Sequence, residues 1–170
     1  MTVKRQKPRP PYQPAWYPSP INLPERTAGK FSVSHQIVKK ETPVVGMRQA
    51  YTRGTQPISA KLKEPLRVHE LAEEGHGVWM TDLPEELNQI AEMLYHVQPQ
   101  GKVLVGGLGL GIVAKALSMR EGVTKAFLTA VERSQEVITL CATPDYRTIQ
   151  SDILKYLWGH PTRFDYYLLD

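Results

Sequence analysis

The sequence predicts an α/β fold built on a parallel sheet, and three observations predict it. Lys102 to Val105 is a short apolar run with β-branched residues, the pattern of a strand buried on both faces. Gly106, Gly107, Gly109 and Gly111 follow, and from Gly111 the spacing turns helical. Ile112, Val113, Ala116 and Leu117 fall on one side of that helix, Lys115 and Ser118 on the other. The alternation then repeats: an apolar run at 126–131, helical spacing from Ser134, and further strands at 146–150 and 164–169.

The elements before this series are of another kind. Residues 1–24 hold seven of the fourteen prolines and no glycine, which favours extended chain without backbone donors. Residues 1–30 are therefore expected to be a disordered, basic, proline-rich leader. Phe31, Val33 and Ile37 alternate with polar residues and predict a strand, opening a small β-rich extension over 31–81. Leu66–Leu71 and Val78–Thr81 flank a glycine-containing turn and predict a hairpin. A helix follows, with Asp82 as its expected cap, Pro84 in its first turn and Glu85 three residues after the cap. Leu87, Ile90, Ala91, Leu94 and Val97 form its apolar stripe, and Pro99 and Gly101 end it. Residues 82–170 then make the α/β domain. Ser134 is expected to cap the second crossover helix, and a short helix over 153–158 leads to the last strand.

Composition narrows the function classes. Lys4, Arg5, Lys7 and Arg9 are the only charges before Glu25; without them 17 basic residues face 17 acidic ones. The basic balance belongs to the leader, and the body gives no charge-based reason to expect nucleic acid. No apolar run reaches the ~18 residues of a membrane helix. A single cysteine, Cys141, rules out an internal disulfide framework and fits a reducing cytoplasm. The histidines at 35, 69, 76, 96 and 160 show no zinc spacing, so no metal site is expected. Trp79 and Trp158 read as packing residues.

In a parallel sheet, ligands bind outside the carboxyl ends of the strands. Here each such end carries a suitable group: the glycines, then Glu132, Asp152 and Asp170. Glycines let a turn bend tightly and leave no Cβ between backbone and ligand. Glu132 lies 21 residues after Gly111, where a carboxylate can accept both hydroxyls of a ribose. Asp152 can cap the helix from Ile153 and accept from an adenine amine.

These motifs resemble a known group. Val103–Gly111, Ala130–Ile138, Ser151–Leu154 and Phe164–Asp170 look like successive motifs of class I S-adenosylmethionine-dependent methyltransferases, closest to the spermidine-synthase-like branch. The hairpin with Trp79-Met80-Thr81-Asp82 is similar to the β-extension before the Rossmann core there. The resemblance covers roughly residues 66–170. It implies a Rossmann-like methyltransferase fold with a small β-extension, and S-adenosylmethionine or its decarboxylated form as cofactor. Gly106, Gly107, Leu108, Gly109 and Gly111 would pass under the methionine part and ribose. Glu132 would hold the ribose hydroxyls, with Arg133 beside the adenine. Asp152 and Ile153 would contact adenine. Asp170 matches the acidic residue after the fourth strand and is the candidate catalytic base.

The family fold continues with a fifth strand and an antiparallel pair, whereas this sequence stops at Asp170. The chain is expected to be a fragment truncated after the fourth strand, or to have that edge covered by a partner chain or a second copy. The acceptor is not specified. Two competing readings stay open. One is a non-catalytic module that binds the adenosyl cofactor or serves assembly. The other is an NAD-dependent oxidoreductase, since Gly109-x-Gly111-x-x-Ala114 satisfies the dinucleotide fingerprint.

Overall fold

The computed structural model describes residues 19–45, 59–62, 64–97, 99–159 and 164–169. The protein is a mixed α/β fold. Its parallel sheet is made of β7 (Gly101–Gly106), β8 (Val123–Glu132), β9 (Arg147–Gln150) and β10 (Tyr166–Leu169), in the order β10-β7-β8-β9. All three pairings are parallel. Helices α2 (Ile112–Ser118), α3 (Gln135–Cys141) and α4 (Ile153–Gly159) connect them. The chain steps outward from β7 to β8 to β9, then returns to add β10 on the other side of β7. The order therefore reverses between β7 and β10, and such a reversal opens a crevice at the carboxyl ends of the two strands.

A four-stranded antiparallel sheet precedes it. β1 (Arg26–Ala28), β2 (Phe31–Val38), β5 (Leu66–Glu73) and β6 (Gly77–Thr81) pair in the order β1-β2-β5-β6. β3 (Pro43–Val45) and β4 (Ser59–Lys61) form a separate antiparallel pair. Helix α1 (Pro84–Val97) joins the hairpin β5–β6 to β7.

Alternation along β7 divides the core. Val103 and Val105 face one way, together with Leu128 and Ala130 of β8, and pack with Ile112, Leu117, Val137 and Leu140 of α2 and α3. Phe31, Val33 and Leu71 of the antiparallel sheet belong to the same cluster, so the extension and the α/β part share one core. Arg26 of β1 also donates a hydrogen bond to the Leu140 carbonyl on α3. Leu104 and Val131 face the other way, against Tyr156 of α4.

Several expectations need correction. The disordered leader does not extend to residue 30. Ile21 and Leu23 are buried, and residues 26–28 form β1, because two apolar side chains and a strand partner hold the segment on β2. Residues 1–18 lie outside the described residues. Ile37 on β2 is 64% exposed, so the alternation that predicts this strand ends before it. Trp79 and Trp158 are 58% and 85% exposed and are not core packing residues. In α2 Ala114 is buried with Ile112 and Leu117, whereas Val113 and Ala116 are only partly buried against the same core. Ser134 does cap α3, accepting from Val137 N–H at 3.1 Å.

Asp82 does not cap α1. Its carboxylate accepts the His69 backbone N–H at 2.5 Å and the His69 Nδ1–H at 2.7 Å, with both residues buried. His69 Nε2 in turn accepts the Leu23 N–H at 3.3 Å, which ties the N-terminal segment to the pair. The cap is supplied by its neighbours. The Thr81 hydroxyl accepts from Leu83 N–H, and Glu86 reaches back to the Thr81 N–H at 3.0 Å.

Asp82→Ala leaves two buried donors of His69 unpaired and should cost about 2–5 kcal/mol. Urea unfolding would measure it, and Asp82→Asn, which keeps one acceptor oxygen, should lose less. Burial pushes the Cys141 thiol up to about 12, so near neutral pH it should resist aromatic disulfide reagents until urea unfolds the chain.

Candidate functional site

The turn after β7 is shaped by positive φ angles at Gly107 (90°), Gly109 (50°) and Gly111 (78°). Two of these positions also have no room for a side chain. A Cβ on Gly111 would lie 2.6 Å from the Tyr146 hydroxyl, which donates to the Cys141 carbonyl at 3.3 Å. Burial raises the Tyr146 phenol to about 12, so it stays a donor. A Cβ on Gly109 would lie 2.6 Å from Met80 Sδ. That sulfur accepts the Leu110 N–H at 3.2 Å, and the edge strand β6 is thereby seated on the glycine turn.

Most of the turn's amides have partners inside the chain. Gly107 N–H donates to the Val131 carbonyl at 2.8 Å and Gly111 N–H to the Leu108 carbonyl at 2.7 Å. Leu108 N–H donates to Glu132 Oε2 at 2.9 Å. The other carboxylate oxygen of Glu132, Oε1, accepts the Ser134 N–H at 2.8 Å. Half-buried at the end of β8, Glu132 thus bridges the glycine turn and the start of α3. Each of its oxygens keeps a lone pair for a further donor.

Asp152 stands at the end of β9. Its Oδ1 accepts from Leu154 N–H at 2.9 Å and Lys155 N–H at 3.1 Å, a helix cap that leaves Oδ2 for another donor. Arg133 is exposed beside Glu132. Ile153 points to the sheet: with Leu169 it fills the space a Cβ on Gly106 would need, at 3.0 and 2.8 Å. Gly106, Gly107, Leu108, Gly109, Gly111, Glu132 and Arg133 are therefore together at one edge, with Asp152 just beyond the end of the adjoining strand. Asp170 lies outside the described residues.

A cavity of about 460 Å³ opens at the reversal point between β7 and β10. Its floor is Val105 to Leu108, its sides are Leu168 and Leu169, and its roof is Trp79 and Met80 of β6 with one face of α1. That face is Glu86, Gln89, Ile90 and Met93. Sequence reasoning missed it, although the spacing i, i+3, i+4, i+7 is there to be read, because Glu86 and Gln89 are polar and look solvent-facing. Glu86 is held above the ordinary carboxyl range, chiefly by burial and further by the charges of Asp82 and Glu85; its bonds to Thr81 pull the other way.

Among the described residues no cluster of three or more His, Cys, Asp or Glu side chains could hold a metal ion. No helix among them is long and apolar enough to cross a membrane. Compared with protein-family models, with curated proteins and with solved structures, the chain matches none.

Gly111→Ala should destabilise the chain by about 1–2 kcal/mol for the left-handed backbone, with the overlap on Tyr146 added. The double variant with Tyr146→Phe should recover the overlap and not the backbone cost. Chemical denaturation of the four proteins would separate the two.

Proposed function

We propose that the chain is a Rossmann-like, S-adenosylmethionine-dependent transferase domain that binds an adenosyl sulfonium at the carboxyl edge of its parallel sheet. The observation that carries this reading is Glu132. Its carboxylate is fixed by Leu108 N–H and Ser134 N–H beside the glycine turn, with lone pairs left over for vicinal hydroxyls. Asp152, just after the next strand, offers a free carboxylate oxygen to an adenine amine. The strand order, with its reversal at the glycine turn, supports the same fold assignment.

The donor set fits this cofactor better than a dinucleotide. A pyrophosphate needs unpaired amides at the turn. Here those of Gly107, Leu108, Leu110 and Gly111 have partners, and a carboxylate occupies one of them. A ligand with a sugar but no phosphate asks for carboxylate acceptors instead. Such a cofactor supplies an electrophilic carbon when bound. The chain contributes position and water exclusion: Met80, Val105 and Leu168 wall the cavity next to Gly106 and Gly107.

Calorimetric titration with S-adenosylmethionine, methylthioadenosine and NAD tests the proposal. The first two should bind, and Glu132→Ala should weaken both at least about tenfold. Because Glu132 also holds Leu108 and Ser134, thermal unfolding of the variant must accompany the titration. Binding of NAD alone, or unchanged affinity in a folded Glu132→Ala, rejects the assignment.

A further inference from the structure

Among the described residues, the cavity at the β7–β10 reversal has walls of one chemical kind and a single ionisable group. Trp79, Met80, Ile90, Met93, Val105 and Leu168 are apolar, and among the described residues Glu86 is the only titratable side chain lining it. Gln89 is the only other polar side chain among the described lining residues. Glu86 is no loose surface acid: Oε2 holds the Thr81 N–H at 3.0 Å, which fixes the carboxyl from the first turn of α1. A carboxylate offers about four lone-pair directions, so Thr81 leaves acceptor capacity for a ligand. Trp79 stands at the mouth, 58% exposed, its ring held edge-on by Phe31 with centroids 5.9 Å apart. That leaves ring surface for a planar ligand to stack on.

We propose that this cavity takes an apolar aromatic alcohol, a phenol, as the acceptor, with Trp79 stacking on its ring and Glu86 accepting its hydroxyl proton. The inference rests on the adenosyl-transferase reading and extends it to the acceptor end. A neutral phenol brings one donor and needs one acceptor, which Glu86 provides. An ammonium brings a full charge and three donors into walls that are mostly hydrocarbon, and its desolvation is costly. The volume, about 460 Å³, lies within the range for small-molecule sites. Burial strengthens the hold of Glu86 on a proton, which makes it the better base for a weak acid. In the transfer the phenol oxygen forms a bond to the sulfonium carbon. The carbon–sulfur bond breaks with its electron pair left on sulfur, and the phenolic proton passes to Glu86.

The test is a binding measurement on the full chain. p-Cresol, toluene and benzylamine are titrated calorimetrically, with and without saturating S-adenosylhomocysteine. p-Cresol should bind, and Glu86→Gln, whose amide oxygen still serves the Thr81 N–H, should weaken it about tenfold or more. Toluene affinity should not change in that variant. Trp79→Ala should weaken both aromatic ligands. S-Adenosylhomocysteine should bind wild type and Glu86→Gln within about threefold of each other. Stronger binding of benzylamine than p-cresol overturns the proposal, as does p-cresol binding that ignores Glu86→Gln. Failure of S-adenosylhomocysteine to bind wild type rejects the cofactor reading instead, and the titrations without it still decide the occupant of the cavity.

Discussion

The buried pair of Asp82 and His69 sets the geometry on which the candidate site depends. Asp82 follows the last residue of β6, and its carboxylate takes both the backbone and the ring donor of His69, across the hairpin on β5. With that tie made, β6 must end at Thr81 and α1 must start two residues after Asp82. Two consequences follow along the chain. Upstream, Met80 arrives over Gly109, where its sulfur meets the Leu110 N–H. Downstream, the first turn of α1 carries Glu86 back to Thr81 and turns Gln89, Ile90 and Met93 over the reversal point. The N-terminal segment is fastened to the same pair through Leu23. Roof, plug and strap thus share one buried polar junction, and a buried junction of this kind tolerates no missing partner.

The α/β half was readable from local pattern. Strands buried on both faces and short capped helices announce themselves within a ten-residue window, and β7, β8, α3 and α4 form close to where their periodicity puts them. Ser134 and Asp152 cap as expected because a cap is satisfied within three residues of sequence. Asp82 shows why the rest was not readable. Its surroundings, an acidic side chain before Pro84 and Glu85, are those of a cap, and Thr81 can do the same work. The partner that claims Asp82 lies 13 residues away across a hairpin, and nothing local marks it. Trp79 was misread for a related reason. An aromatic residue in a strand is expected inside, but β6 is an edge strand and its outward face borders an opening.

The site residues divide in the same way. The strand-end placement of Glu132 and Asp152 was legible because it is a topological property that alternating elements reveal. The contacts that define what Glu132 does, to Leu108 N–H on one side and Ser134 N–H on the other, were not. They make the residue a brace of the glycine turn as well as a candidate ligand. This changes the meaning of the glycines. A Cβ on Gly111 would meet Tyr146, and one on Gly109 would meet Met80, so close packing inside the protein requires glycine at both positions.

That reassignment bears on the cofactor reading more than the motif itself does. A glycine turn whose amides are free suits a phosphate; here most of the amides are paired within the chain. On one side of Gly106 and Gly107 stand the carboxylates of Glu132 and Asp152, suited to hydroxyl and amine donors. On the other side lies an apolar cavity whose described lining includes the half-buried acid Glu86. Under the proposed function, a ligand that spans this turn would be polar and rich in donors at one end and lipophilic at the reacting end. Under the proposed function a sulfonium nucleoside meets the first demand and leaves its reactive carbon facing the second. The two half-sites are walled by different elements, β8 and β9 for one, β6 and α1 for the other. Under the same proposal, substitutions in α1 alter the acceptor end while Glu132 and Asp152 keep their partners.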